Sequence, residues 1–567
     1  MTNPLIERAR WHLTRETGAI IKSPPPGSQG SSRSFDALRV VPTCPERSRR
    51  SGVEGRAEPR GGKLRIALIY PNSYYVGMSN LGLHTIYHLL NSAPEVACER
   101  AFMPDPGQAA DRSSPLVTIE SQSPLERFDV IGFSLSYELD YINAVDALRR
   151  ARLPIFARDR GDRHPLVIAG GPCAGFNPEP LADIVDAFVV GEAEPVLDDI
   201  TAAMIEAPDR ADALRRLQAL PGVYVPMAYQ PEYSPQGDFV RLVPQANAPR
   251  VIQRLHVAEL DRWPTHSRIL TPDTEFGNMF LIEISRGCAH ACKFCVTAPC
   301  CRPFRHRSAD HILDIAAQGL QHRRTIGLVA AAVSDHPELN RLVRGLRDMK
   351  ARISLSSIRA DGAGTALVEA LGQSGARSIT FAPEAGAERL RRKLRKGISE
   401  EQYLAAARLA AANGIRRLRL YFMLGLPGET EADIAAIPRL VHLIKRDAHM
   451  AQVTASISAF VPKPQTAFER EPMAPVREIE AKLKALRSLL YAEPGVNMAA
   501  ESAKWSFIQA ALARGDRRLG AVIARACEAG GSLAAWRAAF AAEKLDPGYF
   551  ASRPRAPEEP LPWEHIG

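Results

Sequence analysis

The stretch MFLIEISRGCAHACKFC, residues 279–295, decides the interpretation of this 567-residue chain. It opens with an apolar run of strand length and ends with Cys288, Cys292 and Cys295, which are separated by three and two residues. Three thiolates on one tight loop can hold three irons of a cubane 4Fe-4S cluster and leave the fourth iron open. Gly287 relieves backbone crowding at the start of the loop. The spacing therefore predicts an iron-sulfur site at these three cysteines.

The main alternative for the cysteine loop is a structural zinc site. Zinc usually takes four ligands, arranged as two Cys-x2-Cys-like pairs, whereas this loop has one triplet. Cys300, Cys301 or His290 could supply a fourth ligand. Cys300 and Cys301 could also hold a second cluster, although a role as ordinary loop residues is more common for such a pair. The spacing alone leaves zinc open.

Strand and helix patterns alternate between residues 64 and 204. The candidate strands LRIALIY, DVIGFSLS, PLVIAGGP and AFVVGE are separated by helical stretches such as YINAVDALRRAR. Such alternation predicts a parallel sheet with helices on both faces. Ligands bind beyond the carboxyl ends of the strands in these sheets, where Gly170, Gly171 and Gly191 would lie. The pattern thus predicts a Rossmann-like α/β domain over 64–204.

A second alternating series follows a linking region at residues 205–274. It contains six candidate strands within residues 275–475, and the cysteine loop comes directly after the first of them. Six strands with intervening helices favour a partial (β/α)6 barrel of the TIM type, whose active-site residues lie at the carboxyl ends of the strands. Residues 476–567 have the pattern of a helical segment.

Composition predicts an ordinary globular protein of the cytoplasm. No run approaches about 18 consecutive apolar residues, and the N-terminus lacks the apolar core of a signal peptide. Nine cysteines are too few for a disulfide scaffold in so long a chain. Within residues 1–63 an N-terminal helix precedes a basic stretch rich in Arg, Ser, Gly and Pro, a composition typical of a disordered insertion. The net charge of +9 leaves a nucleic-acid partner open, although a solvated charged surface is the more common explanation.

The Cys-x3-Cys-x2-Cys loop, with Phe294 before its last cysteine, resembles that of the radical S-adenosylmethionine (SAM) superfamily. The later stretches SLSSIR, ITFAPEAGAERL and YFMLGLPGET resemble strand-end motifs of the same family, in the same order. The resemblance implies a 4Fe-4S cluster whose open iron takes the amino and carboxylate groups of SAM. It also implies SAM-contacting residues, which are Phe294, Ser356, Arg359, Glu384, Leu424 and Gly425.

One motif departs from the family. Its second strand often ends in Gly-Gly-Glu, whose backbone receives the SAM amino group, whereas this chain has GLVAAAVSDHP. Backbone carbonyls of Ala330, Ala331 and Ala332 can still serve, because the contact is largely to the main chain. Ser334 or Asp335 is expected to replace the missing side-chain contribution.

The N-terminal half resembles the cobalamin-binding domain that precedes many radical SAM barrels. The residues that carry this resemblance are IAGGPCAGFNPEPLADIVDAFVVGEAEPVL, including Gly170, Gly171 and Gly191. The Asp-x-His-x-x-Gly loop of classical cobalamin domains is replaced by YPNSYYVGMSNLG, which has no histidine. Cobalamin therefore stays open as a cofactor. Tyr74, Tyr75 and Met78 are expected either near the cobalt or in the core.

The resemblance implies an enzyme that cleaves SAM reductively and starts radical chemistry on an unidentified substrate. Methyl transfer to an unactivated carbon would follow if cobalamin were bound. The implied partners are SAM, the substrate and an electron donor such as flavodoxin or ferredoxin, with no membrane involved. The alternatives are a non-catalytic zinc-binding or nucleic-acid-binding module and a tRNA-modifying sulfur-insertion enzyme.

Overall fold

The computed structural model describes residues 3–22, 39–40, 64–105, 114–245, 247–355 and 357–567. Most of the predicted basic insertion lies outside the described residues, and so does Ser356. The predicted N-terminal helix is present as α1 (Pro4–Thr14), and the Asn3 side chain caps it by accepting the Leu5 N–H. None of the helices in the described part of the chain is long and apolar enough to cross a membrane.

One six-stranded sheet organises the N-terminal half. Its strands are β1 (Leu64–Ser73), β2 (Val96–Met103), β3 (Val130–Ser134), β4 (Leu166–Gly170), β5 (Ala187–Val189) and β6 (Val223–Tyr224). They are hydrogen-bonded in the order β2, β1, β3, β4, β5, β6, and every pair is parallel except β5 with β6. The first five strands follow a doubly wound order, in which ligands bind where the order reverses, between β1 and β3. The predicted parallel-sheet α/β fold is confirmed here.

Helices connect the strands of this sheet. They are α2 (Leu81–Ser92), α3 (Tyr141–Arg150), α4 (Leu197–Ile205) and α5 (Arg210–Gln218). The Asn80 side chain caps α2 by accepting the Leu83 N–H, which places the start of this helix directly after the predicted turn. The linking region that follows contains an antiparallel hairpin, β7 (Tyr229–Tyr233) with β8 (Phe239–Pro244).

Seven parallel strands follow in the second half. They are β9 (Met279–Glu283), β10 (Thr325–Val329), β11 (Arg352–Leu355), β12 (Ser378–Glu384), β13 (Arg417–Leu424), β14 (Gln452–Ala459) and β15 (Val496–Ala500). The first three form one sheet and the last four form another, each in sequential order. The Ile358 N–H donates to the Thr380 carbonyl at 3.2 Å between the two sheets. A closed barrel is not found among the described residues, and β15 was not predicted from the sequence.

Helices cover one face of these sheets. They are α6 (Ala309–Gly319), α7 (Leu339–Asp348), α8 (Thr365–Gln373), α9 (Glu388–Lys393), α10 (Glu400–Ala412) and α11 (Glu431–Asp447). Strand β13 illustrates the resulting alternation, because Leu418, Leu420 and Phe422 are buried whereas Arg419 and Tyr421 are exposed. The apolar face therefore packs on the helices, and the polar face of the strand is exposed.

Five helices make up most of the C-terminal segment. Its helices are α12 (Val476–Leu490), α13 (Ala503–Ala513), α14 (Leu519–Glu528), α15 (Leu533–Ala542) and α16 (Pro547–Ala551). Buried side chains of α13, α14 and α15, such as Ile508, Val522 and Trp536, belong to the same apolar core as the N-terminal sheet. The end of the chain thus packs back on its first half.

Candidate cluster and cofactor site

The backbone conformation at the start of the cysteine loop requires glycine. Gly287 has a φ of +82°, and a Cβ there would lie 2.3 Å from the Cys301 carbonyl oxygen. Within the loop, the Cys295 N–H donates to the Cys292 carbonyl at 3.2 Å. The Lys293 N–H donates to the Leu394 carbonyl at 3.1 Å, which ties the loop to the end of α9. The three cysteines therefore sit on a tight turn that is fixed to its surroundings.

All three cysteines of the loop are free and half-buried. Burial raises the pKa of the Cys292 thiol, and the positive charges of Lys396 and Arg359 oppose that rise. Burial also raises the pKa of the Cys288 thiol, and a backbone hydrogen bond at His290 and the charge of Arg359 oppose that rise. Thiolates beside two cations fit a cluster of net negative charge, so the donor set fits the cubane that the sequence predicts. Among the described residues, no three His, Cys, Asp or Glu side chains converge closely enough to hold a single metal ion, so the cubane assignment rests on the cysteine spacing and on the donor type.

Glu384 lies at the end of β12, beside the cysteine loop. It has a φ of +67°, which is uncommon for a residue other than glycine. Its Oε1 lies 3.1 Å from Nζ of Lys396, and burial raises the pKa of this carboxyl while Lys396 opposes the rise. The neighbouring Arg395 carbonyl oxygen is 3.8 Å from the Cys292 sulfur. One short segment, Arg395–Lys396, thus joins the predicted SAM contact to a predicted cluster ligand.

Arg359 and Asp335 approach the loop from neighbouring strand ends. The Arg359 guanidinium is largely buried and pairs with Asp361 at 2.7 Å. Asp335, in the loop after β10, has its Oδ2 2.8 Å from Nε2 of His290 inside the cysteine loop. Asp335 therefore contacts the cysteine loop through His290, and its expected role in replacing the missing side-chain contact to SAM stays a prediction.

The three alanines in the loop after β10 differ in exposure. Ala332 is buried, Ala331 is exposed and Ala330 is partly buried just beyond β10. Their carbonyl oxygens follow the carboxyl end of the strand that neighbours β9. This is the edge where the sequence predicts a main-chain contact with SAM.

Phe294 belongs to a small apolar cluster between the cysteine loop and the strand-end loops. The cluster contains Leu390, Leu394, Leu426, Phe460 and Phe468. Because Leu426 follows β13 and Phe460 follows β14, the ring bridges the cysteine loop to the far side of the sheet edge. Phe294 is therefore near the loop that the sequence assigns to adenine.

Leu424 and Gly425 shape the loop after β13. Leu424 is buried, and its carbonyl accepts the Phe460 N–H at 2.8 Å. Gly425 has a φ of +80°, and its N–H donates to the Glu429 carboxylate at 3.0 Å. A Cβ at Gly425 would lie 2.8 Å from the Ala474 Cβ. The tight turn there requires glycine for packing.

A cavity of about 440 Å³ opens at the carboxyl edge of the N-terminal sheet. Apolar side chains of β1, β3, β4, α2 and α4 line most of it. Gly170 lines the cavity without steric crowding, since a Cβ there would lie no closer than 3.8 Å to any other atom. Gly171 and Gly191, with φ near +95° and +99°, instead lie against the backbone of Leu135 and Leu255. The three predicted glycines thus serve two purposes, namely open space and close backbone packing.

The far wall of this cavity comes from the linking region and from the second half of the chain. Arg254, Arg286, Cys300 and Cys301 lie on it. Arg286 is 2.9 Å from Glu194, and Arg305 is 2.7 Å from Glu192, so ion pairs on both sides of the cysteine loop connect it to the N-terminal domain. The cavity is therefore shared by the two halves of the chain.

The aromatic residues of the first turn do not all face this cavity. Tyr74 is buried, stacks on His12 and donates its hydroxyl to Glu16 at 2.6 Å. Met78 is buried with its sulfur 3.2 Å from the Arg100 guanidinium, whereas Tyr75 is half exposed. The packing alternative accounts for Tyr74 and Met78.

Sequence reasoning missed Lys396, which contacts Glu384 and acts on the Cys292 thiol. It lies in the basic run RLRRKLRKG, residues 389–397, which has the composition of a solvated helix face. The signal that could have identified Lys396 is the position of this basic run directly after the motif that contains Glu384.

Two family models match the chain. The model for Radical SAM proteins, N-terminal, matches residues 82–226, and the model for the Radical SAM superfamily matches residues 282–441. These ranges correspond to the N-terminal sheet and to the sheets that carry the cysteine loop. The cysteine loop lies inside the second match.

Individual proteins are also similar. An uncharacterised protein of Methanocaldococcus jannaschii is 29% identical over 459 residues, which is 80% of this chain and 89% of that protein. A tRNA-2-methylthio-N(6)-dimethylallyladenosine synthase of Cereibacter sphaeroides is 26% identical over 38% of this chain and 50% of its own length.

Among solved structures, the cobalamin-dependent SAM radical enzyme OxsB matches with a TM-score of 0.44 and 16% identity. The match covers 67% of this chain and 52% of OxsB, so this chain spans about half of that protein. Together, the cysteine loop and the two family matches establish that the chain belongs to the radical SAM superfamily and is an enzyme of that class.

Proposed function

We propose that Cys288, Cys292 and Cys295 bind a 4Fe-4S cluster and that SAM binds beside it in contact with Phe294, Arg359 and Glu384. A cluster held there would supply the electron that cleaves SAM and so starts radical chemistry on the substrate. The observation that carries this proposal is the Arg395–Lys396 segment, which touches both Cys292 and Glu384. Family membership supports the same cofactors.

The surrounding residues would prepare this site in three ways. Lys396 and Arg359 place positive charge beside the thiols, which favours their anionic form. Phe294 presents an apolar surface suited to a purine ring, next to the loop that contains Leu424 and Gly425. Backbone carbonyls of Ala330, Ala331 and Ala332 at the neighbouring strand end would accept the SAM amino group.

We include the partial (β/α)6 barrel in this proposal. The Ile358 to Thr380 hydrogen bond lies between the two parallel sheets and supports one curved arrangement of β9 to β14. We keep the domain limits 64–204, 205–274, 275–475 and 476–567. On this scheme the cluster site lies at the carboxyl edge of the barrel, where active sites of such folds are found.

We further propose that the 440 Å³ cavity takes a corrinoid, since it lies at the carboxyl edge of a doubly wound sheet. The turn at residues 70–82 contains no histidine, so cobalt would have no imidazole ligand from this turn. A bound corrinoid would supply methyl-transfer chemistry. Gly170 would leave space for it, and the wall formed by Cys300 and Cys301 would face it from the second half.

Anaerobic reconstitution tests the cluster and SAM proposals. The protein loaded with iron and sulfide should hold about four irons per chain and, with dithionite, convert SAM to 5′-deoxyadenosine and methionine. Cys292→Ala should abolish both properties because the cluster loses one of three ligands. Cys98→Ala, which removes a buried thiol from β2, is the matched control and should keep both.

Other outcomes separate the alternatives. Stoichiometric zinc without SAM cleavage would contradict the proposal and favour a zinc-binding module. About twice the iron, lost on replacing Cys300 and Cys301, would favour the sulfur-insertion alternative. The ultraviolet-visible spectrum of protein incubated with hydroxocobalamin and desalted tests the corrinoid, and absence of the corrinoid bands would contradict that part alone.

A further inference from the structure

Six arginines line the amino edge of the sheets in the second half, opposite the edge that carries the cysteine loop. Arg324 precedes β10, Arg352 opens β11 and Arg377 precedes β12. Arg416 directly precedes β13, Arg417 is its first residue, and Arg419 follows two residues later. All six are exposed. We call Arg324, Arg352, Arg377, Arg416, Arg417 and Arg419 the arginine rim.

Backbone pairing fixes these arginines side by side. The Arg352 N–H donates to the Arg324 carbonyl at 2.9 Å, and the Arg417 N–H donates to the Arg377 carbonyl at 3.2 Å. Neighbouring strands lie about 4.8 Å apart. The positive charges are therefore concentrated along one edge rather than scattered over the surface.

Within the described residues, no carboxylate pairs with any arginine of the rim. The helix ends and loops that lead into β10 to β15 contain three acidic residues, which are Asp348 at the end of α7, Asp447 at the end of α11, and Glu493. Two of these are already paired, Asp447 with Arg408 and Glu493 with Arg446. The loop before β9 is more acidic, but its Asp273 pairs with Arg15. The rim thus carries an uncompensated positive charge.

An aromatic side chain continues the same face. Tyr421 is 41% exposed and follows Arg419 at the two-residue spacing that puts both on one side of β13. Guanidinium groups match phosphate oxygens in a planar, bidentate geometry. An exposed ring beside them offers a stacking surface for an unpaired base. Arginines interleaved with an aromatic residue are the pattern of a nucleic-acid surface.

We propose that the arginine rim, with Tyr421, binds the phosphate backbone of a single-stranded nucleic acid. This inference goes beyond the proposed function, because it concerns the edge opposite the cluster site. An acidic electron carrier would also match the charge. However, β13 runs from Arg417 at this edge to Leu424 at the cysteine edge, which is seven steps of about 3.3 Å or about 23 Å. A carrier docked on the rim would deliver electrons from too far away, which favours the nucleic acid.

Fluorescence anisotropy of the reconstituted full-length protein with a labelled oligouridylate of about 12 nucleotides tests this proposal. We expect binding that weakens steeply between roughly 50 and 200 mM salt, because each phosphate contact on a single strand contributes about −0.7 to the salt slope. The double variant Arg416→Gln/Arg417→Gln should bind about 10-fold more weakly, and its slope should be shallower by about 1.4. Tyr421→Ala should lose about 10-fold, whereas Tyr421→Phe should bind as the wild type does.

Controls separate this surface from general charge effects. Arg10→Gln/Arg537→Gln removes two exposed arginines outside the rim and should leave binding unchanged. Equal affinity for oligothymidylate would support the proposal by identifying phosphates as the ligand. No binding of the oligonucleotide at low salt, or equal binding by the rim variant, would overturn it. Binding of reduced flavodoxin that depends on the rim, without oligonucleotide binding, would also overturn it and favour the acidic protein.

Discussion

The two parallel-sheet halves of the molecule use the same edge in different ways. At the carboxyl edge of the N-terminal sheet, glycines and apolar side chains enclose a cavity of about 440 Å³. At the corresponding edge of β9 to β14, three thiols lie beside Arg359, Glu384 and Lys396. The carboxyl edge of the N-terminal sheet encloses a cavity, whereas the carboxyl edge of β9 to β14 carries charged side chains. Shared topology therefore fixes where a site forms, whereas local side chains decide its chemistry.

The largest expected effect is on the free energy of unfolding, and it distinguishes the two adjacent glycines at the cavity edge, Gly170 and Gly171. Gly171→Ala should lower the free energy of unfolding by about 3 kcal/mol, because its φ is +95° and the new Cβ would lie 2.7 Å from the Leu135 carbonyl oxygen. Gly170→Ala should change it by less than about 1 kcal/mol, since its Cβ has room. Urea denaturation measures both.

The Gly170 variant also tests the cavity itself. If a corrinoid occupies this space, Gly170→Val should weaken hydroxocobalamin binding at nearly unchanged stability. Equal stability of Gly171→Ala and Gly170→Ala would contradict the distinction between packing glycine and cavity glycine, and the comparison of the two edges would lose its basis.

The sequence predicts these glycines at a ligand edge because alternating strands and helices fix where strand ends fall. It does not reveal that Gly191 faces Leu255, because Leu255 is 64 residues away in a region with few regular elements. Likewise, the strand β15 (VNMAA) escaped prediction because it is short and lies between helical patterns. Contacts that depend on long-range packing are not encoded in local periodicity.

A second expected effect concerns a buried histidine of the N-terminal half that stays uncharged in the folded protein. His84 is fully buried, its Nε2 lies 3.1 Å from the Met78 carbonyl oxygen, and its Nδ1 accepts the Arg268 N–H. Burial, aided by Arg100, lowers the pKa of His84 from 6.5 to about 4. Below pH 6.5 the unfolded chain binds a proton that the folded chain does not. Stability should therefore fall as pH drops from 6.5 to about 4.

The size of this effect is about 3 kcal/mol, from about 1.4 kcal/mol for each pKa unit. His84→Gln should remove that share of the pH dependence, so the difference in unfolding free energy between wild type and variant should shrink on acidification. Urea denaturation at pH 7 and pH 4.5 measures it. A constant difference across this range would show that His84 titrates normally, and that the buried groups of this half are accessible to water.

Sequence reasoning nominates the cluster-site candidates that carry their own spacing and misses those that do not. Cys288, Cys292 and Cys295 are recognisable because three thiols within eight residues are rare by chance. Lys396 was missed because its neighbours are also basic, and only the fold distinguishes the one that turns inward toward Glu384. The one-sheet barrel was expected from strand count, yet strand count does not show where lateral hydrogen bonds are interrupted.

The smallest expected effect is on SAM affinity at the cysteine edge, and it comes from replacing Lys396. Lys396→Met removes the partner of Glu384 and a positive charge near Cys292, while it keeps most of the side-chain volume. The pKa of Glu384 should rise further, because burial then acts without the opposing lysine. We expect SAM to bind about 10-fold more weakly, which corresponds to about 1.4 kcal/mol.

Isothermal titration of the reconstituted protein with SAM measures this loss, and Lys393→Met serves as the matched control because Lys393 is exposed three residues earlier. The control should bind SAM normally. If both lysine variants bound SAM equally well, the charge beside Glu384 would have no part in SAM binding. A loss of iron in Lys396→Met, rather than of SAM affinity, would mean that the lysine acts on the thiolates instead. The two readouts therefore separate the roles that a single buried cation can have at this edge.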